Sequence, residues 1–163
     1  MRGTLKIEFL FCLIATFVSG FFIFGASEVR AANVSSGADG NWSSPSTWAS
    51  TVRTGTITYV IDSPAIVGTG TAFLTELAAG SIITSASGRG NISVVVASIT
   101  DDTHLTVTTN AGLTSSGAKS FSSRNVPTAS DDVTIANGDA VVVDTDVSCA
   151  SLKFPTGNSA SSS

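Results

Sequence analysis

Through residues 126–154 the chain alternates apolar and polar residues with a period of two, in three short runs: VTI (133–135), AVVVD (140–144) and CASLKF (149–154). Successive side chains of a strand point to opposite faces, so each run carries one apolar side that has to be covered. The pattern turns Val133, Ile135, Val141, Val143, Leu152 and Phe154 inward, and Thr134, Ser151 and Lys153 outward. Asp131-Asp132 turns the chain into the first run, and Asn137-Gly138, between the first two runs, is the strongest short turn signal present. After Phe154 comes only PTGNSASSS, a polar, flexible composition that cannot supply a covering layer. Two resolutions stay open. Either these strands begin something longer, which the unmatched apolar side favours, or they pack on what precedes them.

What precedes them starts with a leader. Arg2 and Lys6 stand ahead of FLFCLIATFVSGFFIFGA (9–26), an uninterrupted apolar and small-residue run. A positive n-region followed by an apolar h-region is the form of a secretory signal. Small residues suit cleavage after Ala31, in Val29-Arg30-Ala31, or within Gly25-Ala26-Ser27. The run also reaches the lower limit of a membrane span of roughly 18–20 residues, so an uncleaved N-terminal anchor is the alternative. Both readings predict an exported remainder, secreted or held at the cell surface, touching membrane only through this segment.

Beyond Ala31 ten acidic residues face five basic ones, thinly spread, which excludes the clustered Lys and Arg that phosphate backbones require. Ser and Thr make up about a third of that part, and Val, Ile and Gly are frequent, a composition of strands and turns. Cys149 is its only thiol, so no internal disulfide forms and burial alone must hold the fold. In its apolar strand setting Cys149 reads as a small buried hydrophobe.

Residues 33–49 (NVSSGADGNWSSPSTWA) are polar and turn-rich, yet hold two tryptophans, Trp42 and Trp48. The plain reading folds both indoles over an open end of a β core. The sharper one makes them, with Tyr59, a platform for glycan rings, although no cluster of Asn, Asp or Arg around them suggests recognition of ring hydroxyls. From Thr54 on, five short strands are expected, in TITYVID, SIITSA, ISVVVASI, HLTVTT and KSFSS. A helical turn at Phe73, Leu74 and Leu77 lies between the first two, and SGRGN makes a hairpin turn. Turns every eight to twelve residues mark a small barrel or sandwich.

VGTGTAFLTEL (67–77), GSII (80–83) and VASITDDTHLTVTT (96–109) together resemble a small β-barrel module of bacteriophage tail and other virion proteins, also found in exported bacterial proteins. The resemblance covers about seventy residues and implies a spacer or decoration without catalytic residues. GNWSSPSTW, VPTASDDVTIANGDAVVVD and CASLKF are similar to the start of exported bacterial β-solenoid proteins: autotransporter-like passengers, large surface proteins with β-strand repeats, and relatives of the domain named for eight conserved glycines. That resemblance implies the capping rungs of a right-handed parallel β-helix, marked at Gly40 to Trp42, Ser46 to Trp48, Pro127 to Ile135 and Gly138 to Asp144. In the family the second tryptophan lies close before the proline motif, whereas here about seventy residues intervene.

The expected fold is therefore all-β: a small barrel or sandwich inserted into the cap and first rungs of a β-helix, preceded by an N-terminal signal helix. Its parts are a signal peptide or anchor (1–31), a tryptophan cap (32–50), an inserted barrel (51–122), the first solenoid strands (123–154) and a flexible tail (155–163). Insertion into a loop is where such additions are tolerated.

Little in the chain suggests catalysis. Ser98, Asp101, Asp102 and His104 are sequence neighbours, but adjacent residues on a turn and strand rarely reach triad geometry. No His and Cys spacing suits zinc. Asp131, Asp132, Asp144 and Asp146 could be read as an oxygen-only calcium set, against the plainer reading of turn-forming aspartates. The expectation is a protein without enzyme activity, cofactor or metal, of structural or adhesive role, whose partners are cell-surface glycans or other surface proteins. The alternative is a carbohydrate-binding or carbohydrate-active β-helix lacking its catalytic rungs.

Overall fold

The structure, a computed structural model, describes residues 32–154; the leader and tail expected at 1–31 and 155–163 lie outside the described residues. The described chain is all-β apart from two short helical turns. It opens with β1 (Asn33–Ser35), β2 (Gly40–Asn41) and a 3-10 turn at Pro45–Thr47, followed by β3 (Thr51–Val52), β4 (Thr56–Tyr59) and β5 (Ala65–Thr69). After α1 (Phe73–Glu76) come β6 (Ile82–Ala86), β7 (Asn91–Asp101), β8 (His104–Val107) and β9 (Phe121–Arg124). The last three strands are β10 (Asp132–Thr134), β11 (Val141–Val142) and β12 (Ser151–Lys153).

Residues 51–124 form an antiparallel sheet in the order β3-β9-β6-β7-β8-β5-β4. It closes on itself: Ile57 and Lys119 exchange main-chain hydrogen bonds of 2.8 and 2.9 Å, which joins β4 to the run into β9. Closure into a barrel removes the open edges that a small exposed sheet would otherwise present. Alternation fills the interior, because Ile57, Tyr59, Ile66, Ile83, Val94, Val96, Leu105 and Val107 all point inward from their strands. Phe73 on α1 plugs the core and meets Phe121 edge-on, with ring centroids 5.9 Å apart.

Three details of the barrel differ from the sequence expectation, the first being β3, an additional strand that pairs with β9. β5 is a full strand between β4 and β8, whereas the run from Ala65 shows no strand signal because Pro64, Gly68 and Gly70 punctuate it. The barrel also extends past residue 122, since β9 runs to Arg124 and pairs Arg124 with Ile82.

The strands outside the barrel pair differently. β1, β10 and β12 run parallel, with Val34 beside Val133 and Val133 beside Leu152. β2 and β11 are also parallel, Gly40 beside Val141. Parallel neighbours need a long connection. Here nineteen residues separate Asp132 from its partner Ser151, but ninety-nine separate Asn33 from its partner Asp132. The barrel accounts for the difference. Three tiers of chain thus stack in register, and the barrel leaves the first tier after Ser50 and returns before the second. Its first and last strands, β3 and β9, pair antiparallel, so the two ends of the excursion lie side by side.

The tiers share their own small core of Trp42, Trp48, Val133 and Ile135, flanked by Val34, Val126, Val141 and Cys149. Val133 and Ile135 are inward as expected. Val143, Leu152 and Phe154 are not covered: they remain 61%, 45% and 40% exposed. Leu152 and Phe154 belong to the end of the stack, and Val143 follows β11, whose one strand partner is β2; no tier lies against them among the described residues. Cys149, expected to be buried, is half-buried against this core.

Candidate functional site

The residues expected to contact glycans are placed in the two cores. Trp42 and Tyr59 are 2% exposed and Trp48 1%. The two indoles pack edge to face, centroids 5.0 Å apart at 76°, and Trp48 Nε1 donates to the main-chain oxygen of Trp42 at 3.0 Å. Tyr59 lies inside the barrel, its backbone tied to Ser115. Stacking on a sugar needs an open ring face, and none of these three rings offers one. The Gly-x-Trp element has a packing reason instead. A Cβ at Gly40 would lie 2.4 Å from Thr47 Oγ1, the hydroxyl that donates to the Asn41 carbonyl at 2.8 Å. The first tier can therefore fold over the 3-10 turn only with glycine there.

The aspartates form a system of ties between tiers. Asp131 is buried, and its carboxylate accepts from the Thr128 N–H at 2.7 Å, the Thr128 hydroxyl at 2.9 Å and the Ala32 N–H at 2.9 Å. Asp132 accepts from the Ser151 hydroxyl, linking the second tier to the third. Asp139 accepts from the Ser36 hydroxyl at 2.6 Å, and Asp39 from the Ala140 N–H at 2.7 Å. Asp144 takes the hydroxyl and N–H of Ser43, which hold its carboxyl below the usual carboxylate range. These acceptors are occupied by main-chain and hydroxyl donors, and no group of three or more His, Cys, Asp or Glu side chains converges on a metal position among the described residues.

The neighbours of His104 do not form a triad. His104 Nδ1 lies 3.0 Å from Asp101 Oδ1 on the exposed β7–β8 turn, while the Ser98 hydroxyl pairs with Thr106 at 2.7 Å. Asp102 instead accepts from the Leu74 N–H at 3.0 Å. Asp101 shapes its turn by accepting from the hydroxyl and N–H of Thr103. Those bonds, the hydroxyl's first, then the amide's and that from His104, lower its pKa to about 2.

A feature with no sequence signal lies where barrel and tiers meet. A cleft of about 210 Å³ is lined by Arg53, Glu76, Leu77, Asn125, Val126 and Asp131 among others. Arg53 Nε donates to the Ser123 hydroxyl at 2.7 Å. Burial lowers the Arg53 pKa, and the charges of Glu76 and Asp131 act against that. Glu76 receives the N–H and hydroxyl of Thr54 at 3.0 and 2.6 Å, and its main-chain oxygen receives Asn125 Nδ2 at 2.8 Å. The end of α1 thereby clamps both the outgoing and the returning chain. Positions 53, 76 and 125 are too far apart in sequence for their convergence to be read there. The arrangement suits a rigid joint: Arg53 is anchored by the Ser123 hydroxyl and feels the charge of two carboxylates that other donors already engage.

Compared with protein-family models, curated proteins and solved structures, the chain matches none.

Proposed function

We propose that this chain is the amino-terminal portion of an exported, non-enzymatic surface protein, in which the parallel tiers begin a β-solenoid and the barrel is a module carried on a loop of its cap. The observation that carries the reading is the ladder from Val133 to Leu152. The two are partners in one parallel register, yet Val133 is 0% exposed and Leu152 45%. A side chain that repeats a buried position one tier further on, and is itself open, is what a stack awaiting its next tier presents. Phe154, directly after β12, is open as well, at 40% exposed. The apolar leader at residues 9–26 supports export, and the occupied aspartates and buried tryptophans support a structural role, with adhesion through the outer face of the barrel or through later tiers.

The test is a chain lengthened after Phe154 by two designed nineteen-residue tiers that keep apolar residues in register with Leu152 and Phe154. A raised melting temperature and slowed amide exchange in β12 are expected. If the lengthened chain melts with its parent and β12 exchanges as before, the solenoid reading fails. Export is tested separately, by N-terminal sequencing of the protein recovered outside the cytoplasm, with a start at Ala32 or Ser27 expected.

A further inference from the structure

Asn137-Gly138 occupies the corner between β10 and β11, and both residues are exposed. The Asp139 N–H donates to the Ala136 oxygen at 3.1 Å and closes the turn, with Gly138 at φ +94°, a conformation that favours glycine. A Cβ built at Gly138 would meet nothing within 4 Å, so no distant residue crowds Gly138, whose own nitrogen is the one next to Asn137. Among the described residues, neither the Gly138 N–H nor the Asn137 side-chain amide makes a hydrogen bond. Asn137 is also the only described asparagine followed by glycine; the others precede Val, Trp, Ile or Ala, whose side chains crowd the next nitrogen.

The Asp39-Gly40 pair of the first tier is an internal contrast. The Gly40 N–H donates to the Ala140 oxygen at 3.0 Å, and Asp39 Oδ1 accepts the Ala140 N–H at 2.7 Å. Its nitrogen and its carboxylate are both engaged. At Asn137-Gly138 both reacting groups are free.

We propose that Asn137 is a site of self-modification, at which the side-chain amide is lost through a cyclic imide. The Gly138 nitrogen gives up its proton and attacks Asn137 Cγ; the Cγ–Nδ2 bond breaks and ammonia leaves. Water then opens the five-membered imide at either carbonyl, giving aspartate or isoaspartate at this position. No oxidant or cofactor is required. Both products add a negative charge to the corner, and isoaspartate also lengthens the main chain by one methylene. That displaces Asp139 and Ala140, the residues that tie the second tier to the first through Ser36, Asp39 and Gly40. The reaction therefore slowly loosens this corner of the stack.

The experiment ages the full chain in mildly alkaline buffer and follows the tryptic peptides 90–119 and 125–153 by mass and chromatography, alongside the Asn137→Gln chain. Expected are two acid products, isoaspartate in excess, appearing at Asn137 well before any change at Asn91 or Asn125 and absent from the variant. Amide exchange at Ala140 is expected to quicken in the aged parent and to stay unchanged in aged Asn137→Gln. Persistence of the Asn137 amide, or aspartate as the sole product, overturns the imide route. Unchanged exchange at Ala140 in fully converted protein overturns the loosening.

Discussion

Trp48 donates its indole N–H to the main-chain oxygen of Trp42 at 3.0 Å while the two rings meet edge to face, so the second tryptophan fixes both the backbone and the side chain of the first. Burying an indole removes about 150–250 Å² from water, worth at most roughly 4–6 kcal/mol. In a core of four buried side chains that is a large share. Trp48→Ala is expected to cost about 3–5 kcal/mol and to unfold the tiers. Trp48→Phe keeps most of the area but not the hydrogen bond, so its added cost should be nearer 1 kcal/mol. Urea denaturation followed by Trp42 emission measures both.

Both tryptophans lie in the tiers and neither in the barrel, whose buried phenol is Tyr59. Indole emission therefore reports the stack alone, and far-UV circular dichroism is dominated by the barrel. Two cores joined through one cleft should unfold at different midpoints, with the tiers giving way at lower urea. Coincident transitions from the two probes would show that the joint at Arg53, Glu76 and Asn125 couples them into one cooperative unit.

Asp131 is buried and satisfies two main-chain N–H groups, those of Ala32 and Thr128. Asp131→Ala leaves both donors without their acceptor, at an expected cost of about 1–3 kcal/mol. The loss should appear first as faster amide exchange at Ala32 and Thr128, while exchange in β6 and β7 of the barrel stays as it was.

The Asp101 carboxyl, held at a pKa of about 2, gives a pH dependence with a definite sign. A folded-state pKa below the unfolded value contributes stability that is present above the unfolded pKa and lost as pH falls through the folded one. For Asp101 the loss falls between the ordinary value of 3.8 and about 2. The Thr103 amide resonance should titrate with a midpoint near the lower figure. Thr103→Val, which removes the hydroxyl donor, should raise that midpoint.

Much of this architecture can be read in the amino-acid sequence. The two-residue alternation at Val133 and Ile135 places their side chains correctly, because a strand face depends only on local geometry. Val143, Leu152 and Phe154 carry the same pattern and yet lie open, since alternation says which way a side chain points and not whether another tier lies there. β5 escapes notice because its Gly68 and flanking Pro64 erase the local signal, and only pairing with β4 and β8 makes it a strand. The Arg53 joint is illegible for a different reason. Its members are brought together by closure of the barrel, a long-range event that no spacing encodes.

The step of ninety-nine residues between Asn33 and its partner Asp132 also sets an order of assembly. At about 5–20 residues per second of synthesis, β1 waits several seconds for β10 to exist. A barrel that folds in that interval brings residues 51 and 123 side by side and shortens the loop the tiers must close from ninety-nine residues to an effective few tens, easing closure by about 1 kcal/mol. The guest module thus acts as a splint for its host: the stack forms late, and on a chain whose ends have already been brought together.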